Sequence, residues 1–395
     1  MSDFAPVRSR NEDAGLFKLA LRTSILTVLT AGIYRFWART RIRRFIWSTI
    51  SVEGDALEYT GTGLEKFLGF LVAVVVLAVY LGLVQLILLW FGLHYVFRPR
   101  NPAEMIMQAA VFYLSFFAVL PLMIFARFRA RRYMLARTRF RSIRFGMEGS
   151  AWGYVGRTLW YGFLTIITLG IHLPRQTFNL ERYKTDHSWF GDRQFEQKGR
   201  WQDLWPATHH IYIGIAMVIV GILCLLKKSL MPLGGFLLPV GMIWGQIGYL
   251  YYRVHAFRIL TNNKVLGGEV GFASDIRFGP VFGTFIKGYL LLLLIVAVVF
   301  GITSFFVVMF VKSLGTTHGL GLLVPGILSA VSYVFAFAII WAASLALITR
   351  PIIARLANSI RIENAAALAT VRQRAFDAGA DAGGFADALD VGGAL

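Results

Sequence analysis

Six long apolar stretches constrain this chain more than any other feature of its sequence. A helix that crosses a bilayer needs about 20 apolar residues, and each stretch approaches or exceeds that length. They cover residues 67–90, 103–126, 209–226, 230–252, 288–311 and 320–349. Only 15% of the residues are charged, against about 25% in a soluble domain. The sequence therefore predicts a polytopic membrane protein and excludes an ordinary soluble globule.

Basic residues alternate along the chain in step with these stretches. Forty Lys and Arg face 21 Asp and Glu, a net charge of +19. The N-terminal segment, the second and fourth loops and the C-terminal segment hold 35 of the 40. Loops rich in Lys and Arg stay in the cytoplasm. The pattern predicts six crossings with both termini cytoplasmic, and it favours a membrane surface over a nucleic acid as partner.

Two further apolar stretches do not fit this alternation. If residues 16–34 and 152–173 both crossed the membrane, the orientation of everything between them would invert and the charge pattern would be lost. We therefore interpret them as re-entrant or interfacial helices on the cytoplasmic side. The alternative is a protein with eight spans.

An internal repeat relates these two stretches. Residues 15–33 and 153–171 are identical at seven of 19 positions at a shift of 138, which indicates a duplication. The matches include Thr27/Thr165, Thr30/Thr168 and Gly32/Gly170. At a shift of 88, the basic run 38–45 is similar to 126–133.

Hairpin patterns follow the basic runs. Residues 50–59, 189–195 and 265–272 carry Gly-Asp or Gly-Gly between β-forming residues, and 139–145 is a weaker copy without a clear turn. We predict an all-α polytopic membrane protein with about six transmembrane helices, two re-entrant or interfacial helices in tandem parallel repeats, and short cytoplasmic β-hairpins. The predicted parts are a cytoplasmic tail 1–14, modules 15–150 and 151–282, a partial third module 283–365 and a disordered tail 366–395.

Three motifs carry a resemblance to a known family. They are Leu26-Thr27 with the run 32–38, Arg43-Arg44-Phe45, and the run 59–70. Over roughly residues 15–365 the chain resembles the YjgN-like family of bacterial inner-membrane proteins, a domain of unknown function. The resemblance implies a multi-pass inner-membrane protein and supplies no activity and no catalytic residues. The second module departs from it, because Gly199-Arg200-Trp201 replaces Gly61-Thr62-Gly63.

The sequence carries no catalytic constellation. The six stretches contain no Asp, Glu, Lys or Arg away from their ends, which argues against a charge-coupled transporter. The single cysteine, Cys224, and the spacing of the histidines give no zinc pattern. We therefore predict a protein that is not an enzyme and has no metal site and no cofactor.

The arginine runs are the strongest functional signal. Arginine beside aromatic residues at the inner leaflet suits anionic lipid headgroups. The predicted lipid- or anion-binding residues are Arg39, Arg41, Arg43, Arg44, Arg127, Arg129, Arg131, Arg132 and Arg182. The alternative is that these charges only fix the orientation of the chain.

Two functions follow from these patterns. The first is transport or lipid handling, with anionic membrane lipids bound by the cytoplasmic arginines. The second is a structural or accessory role, in which the hairpins dock a protein partner. A homo-oligomer is an open alternative, and no nucleic-acid partner is predicted.

Overall fold

The computed structural model describes residues 4–313 and 323–374. Along the chain, its elements form five successive blocks, each with a strand, two or three helices and a second strand. The first block comprises β1 (Phe4–Ser9), α1 (Asp13–Leu29), α2 (Arg35–Thr49) and β2 (Ile50–Val52), and the second comprises β3 (Asp55–Tyr59), α3 (Gly63–Trp90), α4 (Pro102–Ala136) and β4 (Thr138–Phe140). The third comprises β5 (Ile143–Met147), α5 (Ala151–Ile167), α6 (Leu173–Asp186) and β6 (Ser188–Phe190).

The last two blocks contain the longer helices of the C-terminal half. The fourth comprises β7 (Arg193–Gln197), α7 (His209–Leu225), α8 (Met231–Asn262) and β8 (Lys264–Leu266), and the fifth comprises β9 (Val270–Ser274), α9 (Phe278–Ser313), α10 (Leu323–Ser344), α11 (Arg350–Asn358) and β10 (Ile360–Glu363). Short 3-10 helices at Trp201–Ala207, Lys228–Leu230 and Ala365–Thr370 and a π-helical turn at Leu345–Thr349 complete the described elements.

The strands show that the predicted all-α fold is wrong. In hydrogen-bonded order they run β1-β10-β9-β8-β7-β6-β5-β4-β3-β2 and close an antiparallel barrel. Three predicted hairpins are the pairs β2–β3, β4–β5 and β6–β7, and the fourth predicted range contains β8 and β9. The individual strands are only three to six residues long, which is too short for alternation to identify how they join.

The turn between β4 and β5 explains why that hairpin gave a weak signal. Arg141 and Ser142 occupy the left-handed region, with φ of 50° and 65°. Glycine, asparagine and aspartate usually supply this conformation in a two-residue hairpin. The residues present therefore do not identify the turn.

The described chain divides into two compact units, and the first contains residues 4–59, 206–263 and the described part of 270–369. Its strands form the antiparallel run β3-β2-β1-β10-β9. Its helices are α1, α2 and α7 to α11. β1 lies in the segment that the sequence predicts as a tail, and it pairs with β2 and β10.

The second unit contains residues 60–205, 264–269 and, of its C-terminal part, residues 370–374. Its strands form the antiparallel run β4-β5-β6-β7-β8, and its helices are α3 to α6. Phe140, Phe145 and Phe190 pack on one face of this sheet, with Phe190 centroids 6.1 and 4.6 Å from the other two. The predicted module boundaries stay predictions, and the tail beyond residue 374 lies outside the described residues.

Five helices of the described chain are long and apolar enough to cross a membrane. They cover Gly63–Trp90, Pro102–Ala136, Lys228–Asn262, Phe278–Phe310 and Ser329–Asn358. A sixth is reached if the bent pair Trp201–Ala207 and His209–Leu225 counts as one span. All six predicted stretches therefore fall on helices, although residues 320–322 of the last stretch lie outside the described residues.

The two apolar stretches that did not fit the alternation form α1 and α5, each 17 residues long. Both helices end in the same kind of turn. Gly32 and Gly170 have φ of 90° and 92°, and their amides donate to the carbonyl oxygens of Thr27 and Thr165 at 2.7 Å. Such a left-handed glycine ends a helix and reverses the chain, so each apolar helix turns directly into a basic one.

Candidate functional site

A cavity of about 410 Å³ lies in the first unit, where α1, α2 and α10 meet. The residues that line it are Ser24, Thr27, Val28, Gly32, Arg35, Ala38, Arg39, Val334, Phe337, Ala338 and Trp341. Its volume is within the usual range for a small-molecule pocket, about 300–1,000 Å³. One helix that is long enough to span a membrane and two that are too short build its walls.

The sequence places the apolar and the basic parts of the lining on different helices. Val334, Phe337 and Trp341 recur at spacings of three and four residues, so they share one face of α10. Arg35 and Arg39 are four residues apart and share one face of α2. Phe337 and Trp341 are 62% and 41% exposed, which leaves the apolar side of the cavity open to the surroundings of α10.

The hydroxyl groups of α1 complete the lining. Ser24 Oγ donates to the carbonyl of Ala20 at 2.7 Å, and Thr27 Oγ1 donates to that of Thr23 at 2.7 Å. Because both hydroxyl protons are already donated to backbone carbonyls, the hydroxyl oxygens can only accept hydrogen bonds from a ligand. The cationic donors of the cavity are thus supplied by Arg35 and Arg39.

The other arginines of the first basic run contact aromatic residues of the first unit. Arg41 lies over the Tyr34 ring at 5.6 Å. Arg43 is buried, and its Nη1 donates to the Tyr59 hydroxyl at 3.2 Å. Arg44 is exposed, and its Nε donates to the Tyr59 carbonyl at 3.3 Å. Of the four predicted residues, Arg39 lines the cavity, and lipid binding by all four stays a prediction.

The second basic run lies on the last turns of α4 in the second unit. Arg127 is exposed, and Arg129 and Arg132 are partly exposed. Arg131 Nη2 lies 3.9 Å from Glu181 Oε1. Arg182 is exposed on α6 and pairs with Asp186 one turn later, at 3.3 Å. Both Arg131 and Arg182 therefore face a carboxylate, Arg131 across to α6 and Arg182 within α6.

Glu181 is the centre of a charge cluster that sequence reasoning missed. Its oxygens lie 2.6 Å from Lys184 Nζ and 2.8 Å from Lys264 Nζ. Burial opposes the charged form of Glu181, but the attraction of Lys264, Lys184 and Arg131 outweighs it and holds the pKa well below the usual value. No sequence signal identified this cluster, because Arg131 and Lys264 are far from Glu181 along the chain.

A second group joins the beginning of α3 to the end of α4. Arg137 donates to both oxygens of Glu65, from Nη2 at 3.1 Å and from Nε at 3.3 Å, and Tyr133 Oη donates to the same carboxylate at 2.7 Å. Burial works against the charged guanidinium, yet the adjacent carboxylate raises the pKa of Arg137. Thr62 caps the beginning of α3, because its Oγ1 accepts from the Glu65 amide at 3.3 Å.

No group of three or more His, Cys, Asp or Glu side chains in the described ranges 4–313 and 323–374 is arranged to hold a metal ion. Cys224 is buried in α7. His209 and His210 pack on the Tyr251 ring, at 5.2 and 4.7 Å between centroids. The groups that can recognise a ligand are therefore the basic side chains of the cavity and of the Glu181 cluster.

Apolar helices of spanning length, together with basic runs at their ends, define a polytopic membrane protein. The model of a family described as bacterial protein of unknown function (DUF898) matches residues 9–294. The match covers more than half of the chain, so the chain belongs to this family, and the resemblance to the YjgN-like proteins is confirmed. No curated protein and no solved structure matches the chain.

Proposed function

We propose that this protein handles lipids in the bacterial inner membrane and that the cavity of the first unit holds an anionic amphiphile. One observation carries the proposal: the cavity joins an apolar face of a span to two arginines on one face of α2. An acyl chain would lie against Phe337 and Trp341, and an acidic headgroup would bind Arg35 and Arg39. The proposed activity is binding or transport and involves no catalytic step.

Arginine suits the headgroup end of such a ligand. Its planar guanidinium holds a phosphate or carboxylate through two hydrogen bonds. Each basic residue near an anionic lipid surface contributes about 1 kcal/mol. Arg35 and Arg39 together would then contribute about 2 kcal/mol, which corresponds to about thirtyfold in affinity.

The test compares two double variants with the same loss of charge. R35Q/R39Q removes the arginines of the cavity, and R22Q/R253Q removes two exposed arginines of α1 and α8 that do not line it. Native mass spectrometry of the full-length protein in mild detergent measures the retained phospholipid. We expect R35Q/R39Q to lose about thirtyfold in affinity for anionic lipid, while R22Q/R253Q retains it.

A third variant addresses the apolar half of the cavity without changing any charge. Ala338 is buried and lines the cavity, so A338L fills part of it. We expect A338L to lose bound lipid as well. Equal retention by A338L and the wild type, or equal losses from the two double variants, would contradict the proposal and favour arginines that only orient the chain.

The second candidate function is docking of a partner through the hairpins, and one observation favours it. Residues 371–374 of this chain already lie on the hairpins of the second unit. The Asp192 amide donates to the Arg372 carbonyl at 2.9 Å, and Arg374 pairs with Glu148 at 2.8 Å. A Cβ at Gly191 would lie 2.4 Å from that same carbonyl, so the turn is shaped to accept a peptide.

We also propose that α1–α2 and α5–α6 arose by duplication. The supporting observation is that Thr27 and Thr165 receive the same hydrogen bond from the turn glycine. Thr30 and Thr168 likewise accept from the amides of Tyr34 and His172, at 2.9 and 3.2 Å. The residues that repeat in the sequence are the ones that build this turn.

A further inference from the structure

The Glu181 cluster carries more positive than negative charge. One carboxylate faces three cations, which reach it from α4, α6 and β8 at 3.9, 2.6 and 2.8 Å. The side chain of Glu181 is 18% exposed, and those of Arg131, Lys184 and Lys264 are 35, 22 and 23% exposed. The cluster thus leaves two positive charges unbalanced in a partly buried position.

Within residues 4–313 and 323–374, no carboxylate other than Glu181 forms an ion pair with Arg131, Lys184 or Lys264. The nearest acid on α6 is Asp186, which pairs with Arg182 and accepts from the Gln197 amide at 2.8 Å. Other acids have partners elsewhere, in the pairs Glu65–Arg137, Glu148–Arg374 and Glu269–Arg193. Partly buried charges are costly unless an opposite charge compensates them, so the cluster favours an added anion.

Arg131 has donors left for such an anion. Its Nε is buried and has no hydrogen-bond partner, and its contact with Glu181 is long at 3.9 Å. A guanidinium carries five N–H donors in a planar fork that matches a phosphate. Phe128 on α4 and Tyr154 on α5 pack with their centroids 5.2 Å apart one turn away, which holds the backbone that carries Arg131.

We propose that Arg131, Lys184 and Lys264 form a binding site for a phosphate group, either inorganic phosphate or the headgroup of a phospholipid. Glu181 contacts both lysines and neutralises one of the three positive charges. The phosphate would neutralise the positive charge that remains. The site lies in the second unit and uses none of the cavity residues, so it stands or falls independently of the proposed function. Its ligand is selected by charge and by the fork of Arg131.

The first experiment measures binding of inorganic phosphate by the delipidated full-length protein, as the rise in its unfolding temperature with phosphate concentration. R131Q should weaken phosphate binding at least tenfold. R175Q removes an exposed arginine from α6 that is not among the predicted anion-binding residues and should leave phosphate binding unchanged. E181Q removes the internal carboxylate that competes for the cations, so it should bind phosphate several times more tightly than the wild type.

The opposite results would overturn the proposal. If R131Q and R175Q have the same phosphate dependence as the wild type and E181Q gains no affinity, the cluster is a structural ion-pair group only. R131K guards against a folding defect in R131Q, because it keeps the charge and removes the fork. The phosphate affinity of R131K should lie between those of the wild type and R131Q.

A second measurement distinguishes the two sources of phosphate. Native mass spectrometry of protein purified without delipidation counts bound phospholipid before and after addition of inorganic phosphate. A lipid headgroup is the ligand if R131Q loses one phospholipid that R175Q keeps. Free phosphate is the ligand if the two variants carry equal lipid and differ only in their phosphate dependence. R35Q/R39Q should show the phosphate dependence of the wild type even though it retains less lipid in the cavity, so the phosphate measurement keeps this test separate from that of the cavity.

Discussion

At the scale of single residues, the arginines of this chain divide by what they face. Arg43 and Arg44 hold the end of β3 through Tyr59, and Arg137 holds the beginning of α3 through Glu65. These contacts join helix ends to neighbouring elements, which is a structural task. Arg39 instead lines a cavity, and Arg131 lies in a cluster with surplus positive charge. Charge and sequence spacing alone do not separate these roles.

The pH dependence of stability should show the contribution of Glu181. Its folded pKa lies well below the usual value of 4.5, so the unfolded chain takes up this proton first as the pH falls. The stabilisation is therefore complete above pH 4.5 and is lost as the pH falls through the folded pKa. In phosphate-free buffer at pH 7, E181Q should be less stable than the wild type by about 1–3 kcal/mol.

Thermal unfolding of both proteins in detergent from pH 7 to pH 3 measures this effect. The other carboxylates titrate in both proteins and cancel in the difference. We expect the difference to be constant down to about pH 4.5 and to shrink below it. A difference that does not change with pH would mean that the carboxylate acts through its shape and not through its charge.

At the scale of elements, α7 and α8 make a close helix contact. A Cβ at Gly214 would lie 2.6 Å from Gly245 Cα, and one at Gly241 would lie 2.9 Å from Met217 Cβ. The glycines let the two backbones approach closely, as in other membrane helix pairs. Gly241 and Gly245 lie four residues apart on α8, so both belong to the face that approaches α7.

One substitution should separate this contact from a general effect of alanine in a helix. Gly214→Ala meets backbone atoms that cannot move aside, so we expect a loss of about 1–3 kcal/mol of stability. Gly245→Ala is the matched control, because its Cβ meets nothing within 4 Å. Thermal unfolding of the two variants in the same detergent measures the difference. Equal unfolding temperatures would show that α7 and α8 separate without cost.

At the scale of the whole molecule, the helices were predictable and the sheet connections were not. Apolar length identified the spans, because lipid requires about 20 apolar residues per crossing. Gly-Asp and Gly-Gly pairs identified two-residue turns, as at Gly191 and Asp192 between β6 and β7. The pairing of β1 with β10 joins residues more than 350 positions apart, and no local pattern specifies it. The Glu181 cluster was missed for the same reason, since β8 supplies Lys264 across 83 residues.

The path of the chain through α5 and α6 bears on the number of membrane crossings. Tyr183 near the end of α6 donates to the carbonyl of Ser150, just before α5, at 2.8 Å. The chain therefore enters and leaves this pair at the same level. α5 is 17 residues long, or about 25 Å, which is shorter than the hydrocarbon core of about 30 Å. Neither observation fits a path in which α5 and α6 together carry the chain to the other side of the membrane. The loops before and after this pair therefore lie on the same side, as the alternation of basic loops requires.

Reporter fusions should then place Asn101 and Ser229, which connect α3 to α4 and α7 to α8, in the periplasm. Fusions at Lys198 and after Arg374 should be cytoplasmic, because the basic loops stay inside. Thr316 should also be periplasmic, although it lies outside the described residues. The fusion at Ser229 decides between the two readings of α5: a cytoplasmic signal there, with Asn101 periplasmic, would mean that α5 crosses and that the chain has an additional span.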